Sequence, residues 1–163
     1  MPRPVQQKID DAWRRALKFL HKSQRADGAW IPLWFGNEHA PAHENPVYGT
    51  ARTLMGLEHI IRYGDAATDY ATSMAAQFLY QTATPANGWG GEKSTPESIE
   101  ETALAVEALD SPMCAMRLVE LLESPAAAPA PIGLYFARLW YYEKLYPLIF
   151  ATSALGSICS KQW

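Results

Sequence analysis

The segment from Arg15 to Trp30, RALKFLHKSQRADGAW, constrains the fold more than any other part of the chain. It joins the end of an amphipathic helix to a tight loop. Asp27-Gly28 is a turn pair in which the glycine supplies the positive φ that a chain reversal needs. After this turn, Trp30 can stack over the loop while the Gln24 amide bonds backbone groups that the helix end leaves unpaired. We therefore expect the rest of the chain to supply helices that repeat this unit and close around it.

A weaker copy of the unit follows, and its tryptophan lies 59 positions after the first. Here Phe78-Leu79 is followed by Gln81 after one residue instead of three, and the loop reads Asn87-Gly88-Trp89. We interpret this as a degraded second repeat. The spacing leaves room for two helices per repeat, which is typical of helical-repeat barrels.

The other periodic segments also favour helices, and no alternating strand pattern is long enough to predict a sheet. Residues 31–46 contain three prolines and should be irregular, and a Pro/Ala-rich linker follows at 124–131. Ser98 with Glu101 is a candidate capping box. The prediction is an all-α fold of about seven helices, at 4–22, 47–63, 66–82, 98–109, 112–123, 132–146 and 147–160.

Composition narrows the class of protein. A chain of 163 residues with 48% hydrophobic residues can build one domain with a sizeable core. The net charge of −3 and the lack of a Lys/Arg cluster argue against nucleic-acid binding. Cys114 and Cys159 lie in apolar helical segments and are predicted to be buried, reduced thiols, which favours a reducing compartment. We find neither an N-terminal signal peptide pattern nor an apolar run long enough to span a membrane.

The clearest metal-site candidate lies in the proline-rich segment, where His39 and His43 are accompanied by Glu38 and Glu44. Two histidines four apart can bind zinc when a helix places both rings on one side. Pro41 between them prevents such a helix. We therefore interpret the segment as a polar loop, and we predict no metal site and no cofactor.

The residues of the two loops resemble the QW repeat of squalene-hopene and related triterpene cyclases. This resemblance implies a partial α/α toroid, and the chain would cover roughly the last quarter to third of the family's sequence. Residues 1–163 would form the carboxy-terminal segment, with the first repeat at 1–30, the degraded repeat at 66–91 and closing helices at 132–160. The structural motif residues are Phe19, Gln24, Gly28, Trp30, Gly88 and Trp89.

The resemblance extends beyond the loops and implies a set of cavity residues. Trp34, Tyr48, Tyr135 and Tyr142 occupy positions whose aromatic rings face the cyclisation cavity in the family. In 98–109, Glu101 stands where the family often has Gln. The two later tyrosines are seven positions apart, so a closing helix would present them on one face. We assign the neighbouring aromatic residues to the core or to an interface, namely Phe136, Trp140, Tyr141 and Tyr146.

The family's general acid, the middle Asp of an Asp-x-Asp-Asp motif, is absent from this sequence, and Asp10-Asp11 does not fit the motif. The resemblance therefore predicts a carboxy-terminal piece of a squalene-hopene-type cyclase that cannot initiate cyclisation alone. Its partners would be a polyprenoid substrate such as squalene and the upstream half of the barrel. The expected location is the cytoplasm, and the family's biology allows peripheral contact with the inner face of the membrane.

A non-catalytic α/α-repeat module for binding or interaction is the alternative function, because repeat folds often serve that role. The related prenyltransferase β subunits need a zinc site of Asp, Cys and His, which we cannot assemble from this sequence. An exposed inner face would also make the isolated piece prone to dimerise or aggregate.

Overall fold

The computed structural model describes residues 3–58, 65–125 and 129–161, apart from the side chain of Tyr135. Within these ranges the chain is mostly helical and carries one small sheet, so the all-α prediction is confirmed. The helices are α1 (Arg3–Ser23), α2 (Pro46–Glu58), α3 (Ala66–Thr82), α4 (Ile99–Leu109), α5 (Pro112–Glu123) and α6 (Tyr146–Ser160). The strands are β1 (Phe35–Asn37), β2 (Ile132–Leu134) and β3 (Leu139–Tyr141).

Helix α4 is the centre of the molecule, and it contacts α2, α3, α5 and α6. Nearly every one of its side chains is buried, and its small residues Ala103 and Ala105 are fully enclosed. Because alanine side chains are short, neighbouring helices can approach α4 closely on several sides. The predicted cap at Ser98 is confirmed, since its side-chain oxygen accepts the backbone N–H of Glu101 at 3.0 Å.

Helix α1 lies at the edge of the molecule. It buries none of its side chains fully and packs mainly on α3, through the half-buried Leu17 and Leu20. The adjacent Phe19, one of the predicted motif residues, is 69% exposed. The apolar side of this amphipathic helix is therefore only partly covered.

The sheet was not predicted, and the predicted helix at 132–146 is wrong. Strand β2 pairs antiparallel with β1 on one side and with β3 on the other, aligning Ile132 with Asn37 and with Tyr141. A 3₁₀ turn, Tyr135–Ala137, connects β2 to β3, and Arg138 after it has a φ of 48°. The proline-rich segment provides β1, and such long-range pairing leaves little trace in local sequence periodicity. Without a helix here, the argument that placed two tyrosines on one helix face fails as well.

The other segments mostly agree with the predictions. The helices predicted at 66–82 and 112–123 are confirmed, and the one predicted at 47–63 is confirmed as far as Glu58, since residues 59–64 lie outside the described ranges. Cys114 is buried as predicted, but Cys159 is exposed, so that part of the prediction is wrong. Cys159 lies near the end of α6 on its uncovered side, next to the exposed Ser160.

Candidate functional site

The two tryptophan loops close in the same way. The indole Nε1 of Trp30 donates to the carbonyl oxygen of Leu20 at 2.9 Å, and that of Trp89 donates to Leu79 at 2.8 Å. In both loops the acceptor lies ten residues before the tryptophan and belongs to the last turns of a helix. Each indole therefore adds a hydrogen bond to a carbonyl group in the last turn of a helix, which also accepts the backbone N–H four residues later.

The backbone N–H groups of the two tryptophans are also bonded in the same way. The Trp30 N–H donates to Oγ1 of Thr50, and the Trp89 N–H donates to Oγ1 of Thr102, each at 2.9 Å. Because these threonines lie on α2 and α4, each loop fixes the helix that follows it. The second repeat thus keeps both hydrogen bonds of its tryptophan, although its sequence is degraded.

The glutamine of the motif is what the second repeat lacks. Nε2 of Gln24 donates to the carbonyl oxygens of Gly28 at 2.9 Å and of Ala71 at 2.8 Å, and so ties the first loop to α3. The residue at the equivalent distance from the second tryptophan is Ala83, whereas Gln81 is exposed. Gln81 is therefore not the structural equivalent of Gln24, although the sequence analysis placed it in the second repeat.

The side chain of Glu101, in the first turn of α4, is fully buried. Its Oε1 accepts the side-chain amides of Asn37 at 3.0 Å and Asn45 at 2.9 Å. Its Oε2 bonds the hydroxyl of Ser98. These donors come from β1, from the residue before α2 and from the start of α4, so one carboxylate joins three segments.

The preceding residue, Glu100, is 1% exposed and is less well satisfied. Its Oε1 accepts the backbone N–H of Ala130 at 2.8 Å, while Oε2 has no hydrogen-bond partner among the described residues. Burial raises the pKa of this carboxyl group from 4.5 to about 7, and the neighbouring Glu101 acts in the same direction. Glu100 is therefore largely neutral in mildly acidic solution.

Tyr48, a predicted cavity residue, is half-buried at the start of α2, and its ring lies 5.3 Å from that of Phe35 in β1. Burial raises the pKa of the Tyr48 phenol, and the positive charge of Arg52 opposes this shift. The phenols of Tyr146, at the start of α6, and Tyr141, in β3, raise the pKa further.

The other described cavity candidates lie next to the sheet, one before β1 and one after β3, and they make separate contacts. Trp34 is 55% exposed and packs edge-to-face on Phe136 at 5.8 Å. Tyr142 is 52% exposed, and its hydroxyl donates to the Glu38 carboxylate at 3.3 Å. Burial and the negative charge of Glu38 raise the pKa of Tyr142. The fourth candidate, the side chain of Tyr135, lies outside the described part of the chain.

We use the term aromatic face for the aromatic residues of the sheet and of the segments next to it. Its rings form separate pairs, and Trp140 and Tyr141, which are neighbours on β3, lie on opposite sides of the sheet. Four of its members had been assigned to the core or to an interface. The run LWYYE in β3 and after it is the signal that could have revealed the strand, because aromatic residues are frequent in strands. The members of the aromatic face are Trp34, Phe35, Tyr48, Phe136, Trp140, Tyr141, Tyr142 and Tyr146.

Two clefts lie elsewhere on the molecule. One, of about 450 Å³, lies between the start of α4, α5 and residues 129–131. The other, of about 410 Å³, lies between α2, α3 and α4. No residue of the aromatic face lines either of these two clefts.

The histidine cluster of the proline-rich segment forms no metal site in the structure. His43 has a φ of 59° and packs edge-on against Trp140 at 5.3 Å, while His39 is exposed. Within the described ranges, no three His, Cys, Asp or Glu side chains are grouped closely enough to hold a metal ion. The helices of the same ranges include none with the length and apolar character needed to cross a membrane.

Comparison with known proteins gives one family. The sequence model of one family, the squalene-hopene cyclase C-terminal domain, matches residues 3–120, which is well over half of the chain. The matched part contains both tryptophan loops, β1 and helices α1 to α4, and it ends before β2. No curated protein matches the chain.

Proposed function

Because this chain belongs to the squalene-hopene cyclase C-terminal domain family, we propose that it supplies one wall of a chamber in which a polyprenoid such as squalene is cyclised through carbocations. The aromatic face is the observation that carries this proposal. Aromatic rings attract cations through the negative potential of their faces, and the attraction is strongest where water is excluded. Each ring contributes about 0.5 to 2 kcal/mol, so several rings must act together.

The exposure of the aromatic face supports the same proposal. Trp34 and Tyr142 are more than half exposed. Large aromatic side chains are usually buried, in the core of a protein or in its interfaces. A wall of a chamber would have this exposure until the opposite wall is in place. We therefore propose that an N-terminal cyclase domain, on the same or another polypeptide, covers the face during the reaction.

The N-terminal domain would also supply the proton. This sequence has no Asp-x-Asp-Asp motif, and protonating an alkene needs a carboxylic acid whose proton affinity is tuned by neighbouring groups. The work of this chain would then be to exclude water and to stabilise positive charge that moves along the substrate. It would accept a cation that is generated elsewhere.

A reconstitution experiment tests the proposal. The purified chain is mixed with an N-terminal cyclase domain that carries the acidic motif, and squalene products are analysed by gas chromatography and mass spectrometry. We expect cyclised product only in the mixture. Trp34→Leu and Tyr48→Leu should each lower the rate at which product forms about two- to thirtyfold, since each removes a cation-stabilising ring. Phe19→Leu is the matched control, because it removes an exposed ring outside the aromatic face.

Binding of a cation mimic gives a second test that does not depend on reconstitution. A lipophilic tertiary amine, protonated at neutral pH, should quench tryptophan fluorescence on binding, and a neutral hydrocarbon of the same shape should bind more weakly. Equal affinity for the amine and the hydrocarbon would contradict a role in stabilising cations. Together with a failed reconstitution, that result would favour the non-catalytic repeat module.

A further inference from the structure

We infer that Glu101 is a positioning residue that sets the side-chain orientations of Asn37 and Asn45 and, through Asn45, holds Tyr48 in the aromatic face. The inference rests on the proposed function only in so far as Tyr48 acts on a substrate. The positioning itself is a property of the chain.

The first step concerns the hydrogen bonds that Glu101 accepts. Oε1 of Glu101 accepts a hydrogen bond from each asparagine, so both asparagines turn their Nδ2 groups towards it. The Oδ1 atoms then point the other way. With the orientation of both amides set by one acceptor, each asparagine has a single arrangement that satisfies all of its atoms.

The second step is what the outward Oδ1 atoms do. Oδ1 of Asn45 accepts the backbone N–H of Tyr48 at 3.0 Å, and Oδ1 of Asn37 accepts the backbone N–H of His39 at 2.9 Å. If an amide were reversed, its NH₂ group would face a backbone N–H, and neither could accept a hydrogen bond. The carboxylate thus acts on two backbone positions that it does not touch.

The third step connects these positions to the aromatic face. Tyr48 packs on Phe35, which lies two residues before Asn37 on β1. The same carboxylate therefore fixes both sides of this ring pair. Asn45 also precedes α2, and its carbonyl oxygen accepts the N–H of Gly49 at 3.1 Å, so the first turn of α2 depends on the same residue.

The surroundings of Glu101 explain why its carboxylate is free for this role. In an ordinary capping box the glutamate would bond the backbone N–H of the cap residue. Here the Ser98 N–H donates to the carbonyl oxygen of Trp89 at 2.9 Å instead. The second tryptophan loop thus takes over that bond. The three donors that reach the carboxyl group give both of its oxygens a hydrogen-bond partner.

Nuclear magnetic resonance of the full chain, labelled with ¹⁵N, tests the inference. Glu101→Leu removes both acceptor oxygens at similar volume, and we expect the Tyr48 and His39 amides to shift and to exchange at least about tenfold faster in the folded state. Glu101→Gln keeps one acceptor oxygen for the two asparagines, so it should leave both exchange rates within about threefold of the original chain.

The neighbouring glutamate offers a matched control. Glu100→Leu removes an equally buried carboxylate from the same helix turn, and it should perturb the Ala130 amide but leave Tyr48 unchanged. If Glu101→Leu does not fold, Asn45→Ala removes the side-chain bonds of Asn45 to Glu101 and to the Tyr48 N–H and keeps those of Asn37. It should speed exchange of the Tyr48 amide and spare that of His39.

The outcomes separate positioning from a general effect on stability. If Glu101→Leu, or Asn45→Ala in its place, leaves the Tyr48 amide unchanged while the chain is folded, the inference is overturned. It is also overturned if Glu101→Gln perturbs Tyr48 as much as Glu101→Leu does. Binding of the lipophilic amine is measured in parallel. An original chain that does not bind the amine refutes the proposed function, and the amide data still decide the role of Glu101.

Discussion

Replacing Glu100 with glutamine should remove a large pH-dependent term from the stability of the protein. Its carboxyl group is buried, one oxygen has no partner among the described residues, and its pKa is raised from 4.5 to about 7. The folded chain therefore holds this proton more tightly than the unfolded chain does. The stabilisation is fully present below pH 4.5, and it is lost as the pH rises towards 7.

The size of the effect follows from the shift. Each pKa unit corresponds to about 1.4 kcal/mol, so this group should lower the free energy of unfolding by about 3 kcal/mol between pH 4.5 and pH values above 7. Glutamine cannot ionise, so the variant lacks this term. Its extra NH₂ group would replace the oxygen that has no partner, which costs about 1 to 3 kcal/mol at every pH.

Urea unfolding followed by circular dichroism measures both contributions, at several pH values from 4.5 to 8. The difference in unfolding free energy between Glu100→Gln and the original chain should move in favour of the variant by about 3 kcal/mol as the pH rises. The contributions of the other titrating groups to the unfolding free energy are the same in both proteins, so they cancel in this difference. Glu123→Gln, which changes an exposed carboxylate at the end of α5, should show no such trend.

A constant difference between Glu100→Gln and the original chain across this pH range would refute the reasoning. It would mean that Glu100 ionises as easily in the folded chain as in the unfolded one, and hence that solvent or a donor reaches its second oxygen. A trend of opposite sign would mean that ionised Glu100 is stabilised by folding.

Three further predictions concern the packing of the repeats, each measured by thermal or urea unfolding. Gly49→Ala should destabilise the protein by more than about 2 kcal/mol, because a Cβ there would lie 2.2 Å from a backbone oxygen of the first tryptophan loop. Gly56→Ala in the same helix meets no atom within 4 Å and should stabilise the chain by about 0.5 to 1 kcal/mol, and equal effects of the two changes would contradict the packing of this loop on α2. Gln24→Leu removes the hydrogen bond to the Ala71 carbonyl and should lower the free energy of unfolding by about 1 to 3 kcal/mol. Amide exchange should rise first in α1, and unchanged exchange there would show that other contacts hold this helix. Trp89→Phe should cost about 2 to 3 kcal/mol, because it removes a buried hydrogen bond to the Leu79 carbonyl and leaves a gap in the core. A cost below about 1 kcal/mol would contradict a structural role for this indole.

The candidate site was only partly accessible to sequence reasoning. The motif drew attention to the tryptophan loops, and the family resemblance selected Trp34 and Tyr48, both of which belong to the aromatic face. Whether they face a substrate stays a prediction. Tyr141 and Tyr146 were assigned to the core or to an interface because they match none of the family's cavity positions. The helix predicted at 132–146 is wrong because β2 is held by β1, a strand almost a hundred residues away in the chain.

The helices and the tryptophan loops were determined locally. Periodic apolar residues, a cap such as Ser98 and a turn glycine such as Gly28 act within a few residues of one another, so they can be read from the sequence alone. The sheet, the aromatic face and the buried carboxylates were decided by tertiary structure. In the sequence Glu100 and Glu101 are two adjacent acidic residues at a helix start. Only the packing of β1, α2 and residues 129–131 against α4 gives one of them three donors and leaves the other with a single backbone N–H and a raised pKa.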